Sequence, residues 1–240
     1  MFLEGTTALK SANDLRVTPA YSMAEAAHYL HMPVETLRSW VVGRVYPAAG
    51  QQKRSQPLVQ LDDSNRRYLS FINLVEAHVL AAIRRRHGVK LPNVRTALDY
   101  VKDKFGVERP LINQSFQTNG LDLFVEEYGD LINVSKDGQR VMKEIISEYL
   151  ERIDWDSKGL PLKLYPFTRD SESEGSQASA PRIVVIDPAV SFGRPVVAGT
   201  GIPVLSIYER YKAGDSVAEL AKDFRLETSA IEEAIRCEAA

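Results

Sequence analysis

The sequence predicts a mainly α protein with a small β component. Three observations carry that prediction. Apolar residues recur at helical spacing over most of the chain. Two capping boxes, Ser22 to Glu25 and Ser216 to Glu219, each open a helix–turn–helix-like pattern. Short apolar runs bounded by Gly, Asn and Pro supply the β component.

The 240 residues, 44% hydrophobic, are enough for two domains that each bury a core. The stretch 168–181 reads as a flexible linker, because Ser, Glu, Gly and Gln cannot build a core. It separates a region 20–167, preceded by an arm 1–19, from a region 182–240. The single cysteine, Cys237, forms no internal disulfide, so a reducing, cytoplasmic setting is expected. No apolar run approaches the ~20 residues of a membrane span.

Along the first region, Ala24, Ala27 and Leu30 form one helical stripe. His31-Met32 breaks it, and Pro33 suits the first turn of a second helix. Val34, Leu37, Trp40 and Val41 give that helix its apolar face, and Gly43 ends it. A loop carrying Lys53 and Arg54 follows, with Leu58–Leu61 expected as its returning strand. Longer helices are expected over 69–86, ending in Arg84-Arg85-Arg86-His87-Gly88, and over 92–104. Segments 111–117, 121–126 and 130–134 read as short strands joined by Asn119-Gly120 and Tyr128-Gly129 turns. A helix over 138–153 and a closing strand over 162–165 complete the region. In the tail, Ile183–Ile186 is an apolar run. Val217, Leu220, Ala221 and Phe224 form one stripe, and Ile231, Ala234 and Ile235 another.

Enzymatic signatures are scarce. Phosphate-binding loops and nucleophile elbows are missing, and one cysteine cannot make a Cys-x2-Cys zinc pair. His28 and His31 lack a third ligand, Gly199 and Gly201 read as turn glycines, and the chain is expected to need no cofactor or metal and to be no enzyme.

What remains is recognition. Residues 1–110 hold 16 Lys and Arg against 10 Asp and Glu, whereas 111–180 hold 7 against 13. The positive first half favours a polyanion. A helix–turn–helix sets its second helix in the DNA major groove. Thr36 and Ser39 can hydrogen-bond to base edges, and Arg38 can pair with guanine or hold a phosphate. Lys53 and Arg54 would sit on a wing beside the backbone, with Arg66 and Arg67 close behind it. The last helix carries Glu227, Glu232, Glu233 and Glu238 against Arg236, so the tail is expected to meet protein, by self-association or by partner binding, rather than DNA.

Two resemblances follow from these residues. Tyr21–Leu30 (YSMAEAAHYL) through Thr36–Trp40 (TLRSW) resembles the winged helix–turn–helix of MerR-type regulators, over roughly 20–80. Met32 departs from the Ser or Thr often found before the proline, which weakens the cap of the second helix. Asp187-Pro188, Gly193–Val204 (GRPVVAGTGIPV) and Tyr211–Phe224 (YKAGDSVAELAKDF) resemble a small domain family long labelled as of unknown function and found in VapB-type antitoxins. Gly201 stands where that pattern often has Arg. Its members are similar to homeodomain-like three-helix folds, here with a short β-hairpin.

With Leu69–Ala77 (LSFINLVEA), the whole resembles VapB antitoxins. The resemblance implies neutralisation of a VapC-type PIN-domain ribonuclease toxin and repression of the shared operon by a homodimer on operator DNA. Arg169, Arg182 and Arg194 are the expected toxin-facing cations. The alternative is a stand-alone MerR-like regulator whose 111–165 segment binds a small effector.

Overall fold

A computed structural model describes residues 14–48, 51–61, 68–84, 91–168 and 181–239. Its first element is the short strand β1 (Tyr21–Ser22), followed at once by α1 (Met23–Tyr29) and α2 (Val34–Val41). The Ser22–Glu25 capping box forms in both directions: Ser22 Oγ accepts from the Glu25 amide at 3.2 Å, and Glu25 Oε2 accepts from the Ser22 amide at 2.9 Å. Pro33 is the N-cap of α2 rather than its first turn, with no side-chain cap bond. Leu37, Trp40 and Val41 are buried, as their spacing predicts.

The wing is a hairpin of β2 (Val45–Ala48) and β3 (Gln51–Arg54), pairing Val45 with Arg54 and Tyr46 with Lys53. The expected return strand at 58–61 does not form. Instead the amides of Leu58 and Val59 both donate to the carbonyl of Trp40, at 2.7 and 3.1 Å, so the chain closes on the C-terminus of α2 rather than on the hairpin. Strand β4 (Tyr68–Leu69) pairs with β1 and leads into α3 (Phe71–Arg84), which is buried along almost its whole length.

The LSFINLVEA motif is a structural knot. Asn73 Oδ1 accepts from the Ser70 amide at 3.1 Å, while Ser70 Oγ accepts from the Asn73 amide at 3.2 Å. Asn73 Nδ2 donates to the Gln60 carbonyl at 2.8 Å. Glu76, buried, takes Arg109 at 2.9 and 2.5 Å. A buried charge of this kind is tolerable only when paired and hydrogen-bonded.

Helix α4 (Leu91–Phe105) follows, and then the middle region departs from expectation. No strand forms over 111–134. A 3-10 turn (Pro110–Ile112) and a π turn (Phe116–Gly120) lead into α5 (Leu121–Leu131), and α6 (Lys136–Leu150) follows, capped by Ser135 Oγ. The two glycines read as hairpin turns are close-packing sites. A Cβ on Gly129 would lie 2.6 Å from Gln139 Nε2 of α6, and one on Gly120 would lie 3.2 Å from the Phe116 ring. The β content of this region is a single hairpin, β5 (Ile153–Trp155) with β6 (Pro161–Leu164), close to the closing strand expected at 162–165.

The C-terminal part pairs β7 (Val184–Val185) with β8 (Val196–Val197) and then forms α7 (Val204–Lys212), α8 (Val217–Phe224) and α9 (Thr228–Ala239). The second capping box, Ser216–Glu219, forms as its spacing predicts. Two hydrophobic clusters result. The larger runs through α1–α6 and reaches Ile186. The smaller unites Val184, Val197, Val204, Ile207, Leu220, Ile231, Ala234 and Cys237. Of the stretch expected as a linker, only Thr168 and Pro181 lie within the described residues.

The clusters are joined by polar contacts. Tyr21 Oη donates to the Gly193 carbonyl at 2.9 Å. Thr168 Oγ1 donates to Glu233, and His28 Nε2 meets Glu238 Oε2 at 3.3 Å. Arg152, 5% exposed, sends its guanidinium to the carbonyls of Tyr165, Pro166 and Pro181 and lies over the Phe167 ring. Burial, with Arg182 nearby, pulls its pKa down to about 10.

Candidate nucleic-acid interface

The second helix of a helix–turn–helix reads DNA only if its outward face is open and held rigidly. The apolar face of α2 anchors it through Leu37, Trp40 and Val41, each 1% exposed or less. That leaves Glu35, Thr36, Arg38 and Ser39 on the other side. These four line an open groove of about 510 Å³ with Gly43, Arg44, Val45 and, from the end of α3, Arg84. Ser39 Oγ donates to the Thr36 carbonyl at 2.7 Å, so its oxygen is turned along the helix with lone pairs left to accept. Arg38, with 57% of its side chain exposed, meets Glu35 at 3.4 Å, and Glu35 is 81% exposed. An exposed ion pair of this kind contributes little to stability, so the guanidinium can exchange it for another acceptor.

The wing root is fixed by Gly43, at φ +81°. The Ser55 amide donates to the Arg44 carbonyl and the Arg44 amide to Ser55 Oγ, both at 2.9 Å. A Cβ on Gly43 would lie 2.0 Å from the Ser55 carbonyl oxygen, so only glycine fits there. Beyond the root, Lys53 and Arg54 are exposed. Tyr46, opposite Lys53, is 44% exposed, and Val45, opposite Arg54, is 46% exposed.

Thr36, Arg38 and Ser39 are therefore brought together, and Lys53 and Arg54 stand on the adjoining hairpin. Arg66 and Arg67 lie outside the described residues. Two cations escaped the sequence reading. Arg44 follows the glycine that starts the wing, and Arg84 stands in the last turn of α3. The signal for Arg44 was present, since a residue at the root of a wing lies beside the recognition helix. For Arg84 only the fold supplies the placement.

The cations expected to face a toxin separate in the same way. Arg169 lies outside the described residues. Arg182 is engaged within the chain, by an ion pair to Asp154 at 3.3 Å, by the Glu151 carbonyl, and by the Tyr165 ring at 4.5 Å from its guanidinium carbon. Arg194 is exposed and lines a second groove, of about 590 Å³, bordered by α1, α7 and α9.

The acidic face expected on the last helix is corrected by the fold. Glu233 is 1% exposed and takes Thr168 and Arg236, while Glu238 turns towards His28 of α1. Two of the four carboxylates thus point into the chain, and Glu227 and Glu232 remain outside.

Comparison with known proteins agrees with this geometry. Residues 19–98 match the family described as "Putative DNA-binding HTH domain", and residues 184–236 match "Protein of unknown function (DUF433)". The chain is 29% identical over 234 residues to a Mycobacterium tuberculosis protein described as "Putative antitoxin VapB45", covering 90% of this chain and 92% of that protein. It is 24% identical over 226 residues to "Uncharacterized protein Rv2308" of the same organism, covering 90% and 88%. The crystal structure of Rv2018 from Mycobacterium tuberculosis shares the fold, with a TM-score of 0.63 at 23% identity over 91% of this chain and 98% of that one. The likeness to VapB-type antitoxins drawn from the motifs is borne out along nearly the whole chain, and the helix–turn–helix is similar to a family described as DNA-binding. None of the described helices is long and apolar enough to cross a membrane.

Proposed function

We propose that the protein is a DNA-binding antitoxin that represses its own operon and neutralises a VapC-type PIN-domain ribonuclease. The observation that carries this reading is the open face of α2, where Thr36, Arg38 and Ser39 share one groove with Arg44 and Arg84 beside a cationic wing. Its likeness to the protein described as an antitoxin supplies the second half of the reading.

In this reading α2 enters the major groove. Arg38 leaves Glu35 and makes a bidentate contact with guanine, or a phosphate contact at its edge. Thr36 and Ser39 offer short hydroxyls to neighbouring base edges, and Lys53, Arg54 and Arg44 hold the backbone. A homodimer sets two such helices about 34 Å apart, so the operator is an inverted repeat. Arg194 is the cation available to the toxin, whereas Arg182 braces the chain.

The aromatic row of the middle region speaks against the effector-binding alternative. Phe116, Phe124 and Tyr128 are 1% exposed or less, and successive ring centroids lie 5.9 and 5.8 Å apart, so they form solid core.

The test has two arms. Co-expression with the product of the adjoining reading frame should relieve growth arrest. Gel shifts on the upstream DNA should show binding that Arg38→Ala weakens by about 1–3 kcal/mol and whose salt slope Lys53→Ala lowers by about one unit. Unchanged DNA affinity in both variants at moderate salt would refute the docking of α2 and the wing.

A further inference from the structure

The turn Ser191–Gly193 presents a side chain that DNA binding leaves unused. Phe192 is 93% exposed, the most exposed of the large apolar side chains among the described residues. Its backbone lies at φ 57°, ψ 31°, and Ser191 before it at φ 48°. Two successive L-residues in the left-handed region are sterically disfavoured, and for a bulky residue the conformation is an outlier. Strain of this kind is retained where the surroundings over-determine it.

The surroundings do so here. The Gly193 amide donates to the Val190 carbonyl at 2.9 Å, and the Arg194 amide to the Ser191 carbonyl at 3.1 Å. Ser191 Oγ donates to the Gly201 carbonyl at 3.2 Å, and Tyr21 Oη to the Gly193 carbonyl at 2.9 Å. Phe192 is held out into solvent by a rigid frame, not by a loose tip.

Beside it stands Arg194, whose guanidinium makes no hydrogen bond or salt bridge among the described residues. It edges the 590 Å³ groove, whose apolar lining includes Tyr29, Pro195, Pro203 and Leu205, the last 39% exposed. The two carboxylates of that groove are already committed, Glu25 to its capping box and Glu238 to His28. Among the described residues the Arg194 guanidinium forms no salt bridge there, and its charge acts on Glu25 only from a distance.

We propose that the 191–194 turn is a protein-docking edge whose partner is another polypeptide bearing an apolar socket for the Phe192 ring and a carboxylate at its rim for Arg194. An aromatic anchor with a neighbouring arginine is the composition of interface hot spots. A nucleic acid would meet Glu25 and Glu238 at the same groove. The partner's source rests on the antitoxin reading, and the probe is therefore the product of the adjoining reading frame.

Affinity for that product is measured by titration calorimetry with the full-length wild-type chain and with Phe192→Ala, Phe192→Gly and Arg194→Glu. The two Phe192 variants should weaken binding by about 30-fold or more, and Arg194→Glu by about tenfold or more. Operator affinity and circular dichroism should match wild type in all three, which separates lost contact from lost fold. A wild-type chain that binds no such product overturns the antitoxin reading and this assignment with it. Wild-type binding that survives Phe192→Ala overturns this assignment alone. So does a free wild-type dimer that Phe192→Ala converts to monomer in sedimentation, because the edge would then serve a second copy.

Discussion

Replacing Gly43 with Ala tests how the wing is held. At φ +81° an L-residue costs about 1–2 kcal/mol. The new Cβ would lie 2.0 Å from the Ser55 carbonyl oxygen. Non-bonded carbon and oxygen do not approach so closely, so the Ser55 backbone must retreat by roughly an ångström. That retreat breaks both bonds between Arg44 and Ser55, each contributing about 0.5–1.5 kcal/mol. Together the terms reach about 2–5 kcal/mol, concentrated at the wing root. Because the wing is exposed, the loss should appear as faster hydrogen exchange of the Val45–Arg54 amides more than as a lower midpoint of global melting. With Lys53 and Arg54 no longer held in place, the slope of log affinity for operator DNA against log salt should fall by about two units. Gly106→Ala is the control. Its φ of +64° carries the conformational cost, but nothing lies within 4 Å of the added methyl, so the DNA slope should not move. A Gly43→Ala chain with wild-type exchange protection and wild-type salt dependence would refute this account of the wing.

Three further outcomes are expected. Gly193→Ala brings a Cβ to 2.4 Å from Tyr21 Oη, so Tyr21→Phe should partly rescue it. Chemical denaturation of the four members of that cycle should give a favourable coupling of about 1 kcal/mol, and strict additivity would sink the contact. Asp14 is held below its ordinary 3.8 by its hydrogen bonds with Arg16. Burial pushes Asp156 up, but the Leu160 and Lys158 amides and Arg16 outweigh it and leave that carboxyl low as well. Lowered carboxylates stabilise fully above their unfolded value and lose that contribution as pH falls through the folded one. Melting temperature should therefore drop below about pH 4, less steeply in Asp156→Asn, and identical acid profiles would argue against the network. The Cys237 thiol is pushed up to about 12 by burial, first of all, and by Glu238 and Glu233. Ellman's reagent should leave the native chain unmodified near neutral pH and titrate one thiol after denaturation, whereas rapid native labelling would place the sulfur elsewhere.

The elements that local chemistry specifies were legible in the sequence. Both capping boxes, the buried face of α2 and the stripes of α8 and α9 follow from spacings within single helices. The middle region misled because Asn119-Gly120 and Tyr128-Gly129 look like hairpin turns. Yet Leu121, Phe124, Val125 and Tyr128 already stood at helical spacing, and they decided the outcome by packing α5 against α4 and α6. A glycine in sequence does not say whether it frees the backbone or makes room for a neighbour. Gly129 does the second, admitting Gln139. At the site, Thr36, Arg38, Ser39 and the wing cations were readable because they lie within one supersecondary unit. Arg84 was not, because it reaches the groove from a helix some forty residues away in sequence. The acidic last helix was misjudged for the same reason. Composition reveals that Glu233 and Glu238 are charged, but not that Thr168 and His28 wait opposite them.

The placement of Arg152 has a consequence for how the chain survives damage. Its one guanidinium grips Pro166 and Pro181 from either side of the stretch between them, while Leu164 and Ile186 exchange backbone bonds next door. A protease that nicks the polypeptide anywhere from 169 to 180 would sever a covalent link that those bonds duplicate. The two fragments would then migrate as one particle until denaturant parted them.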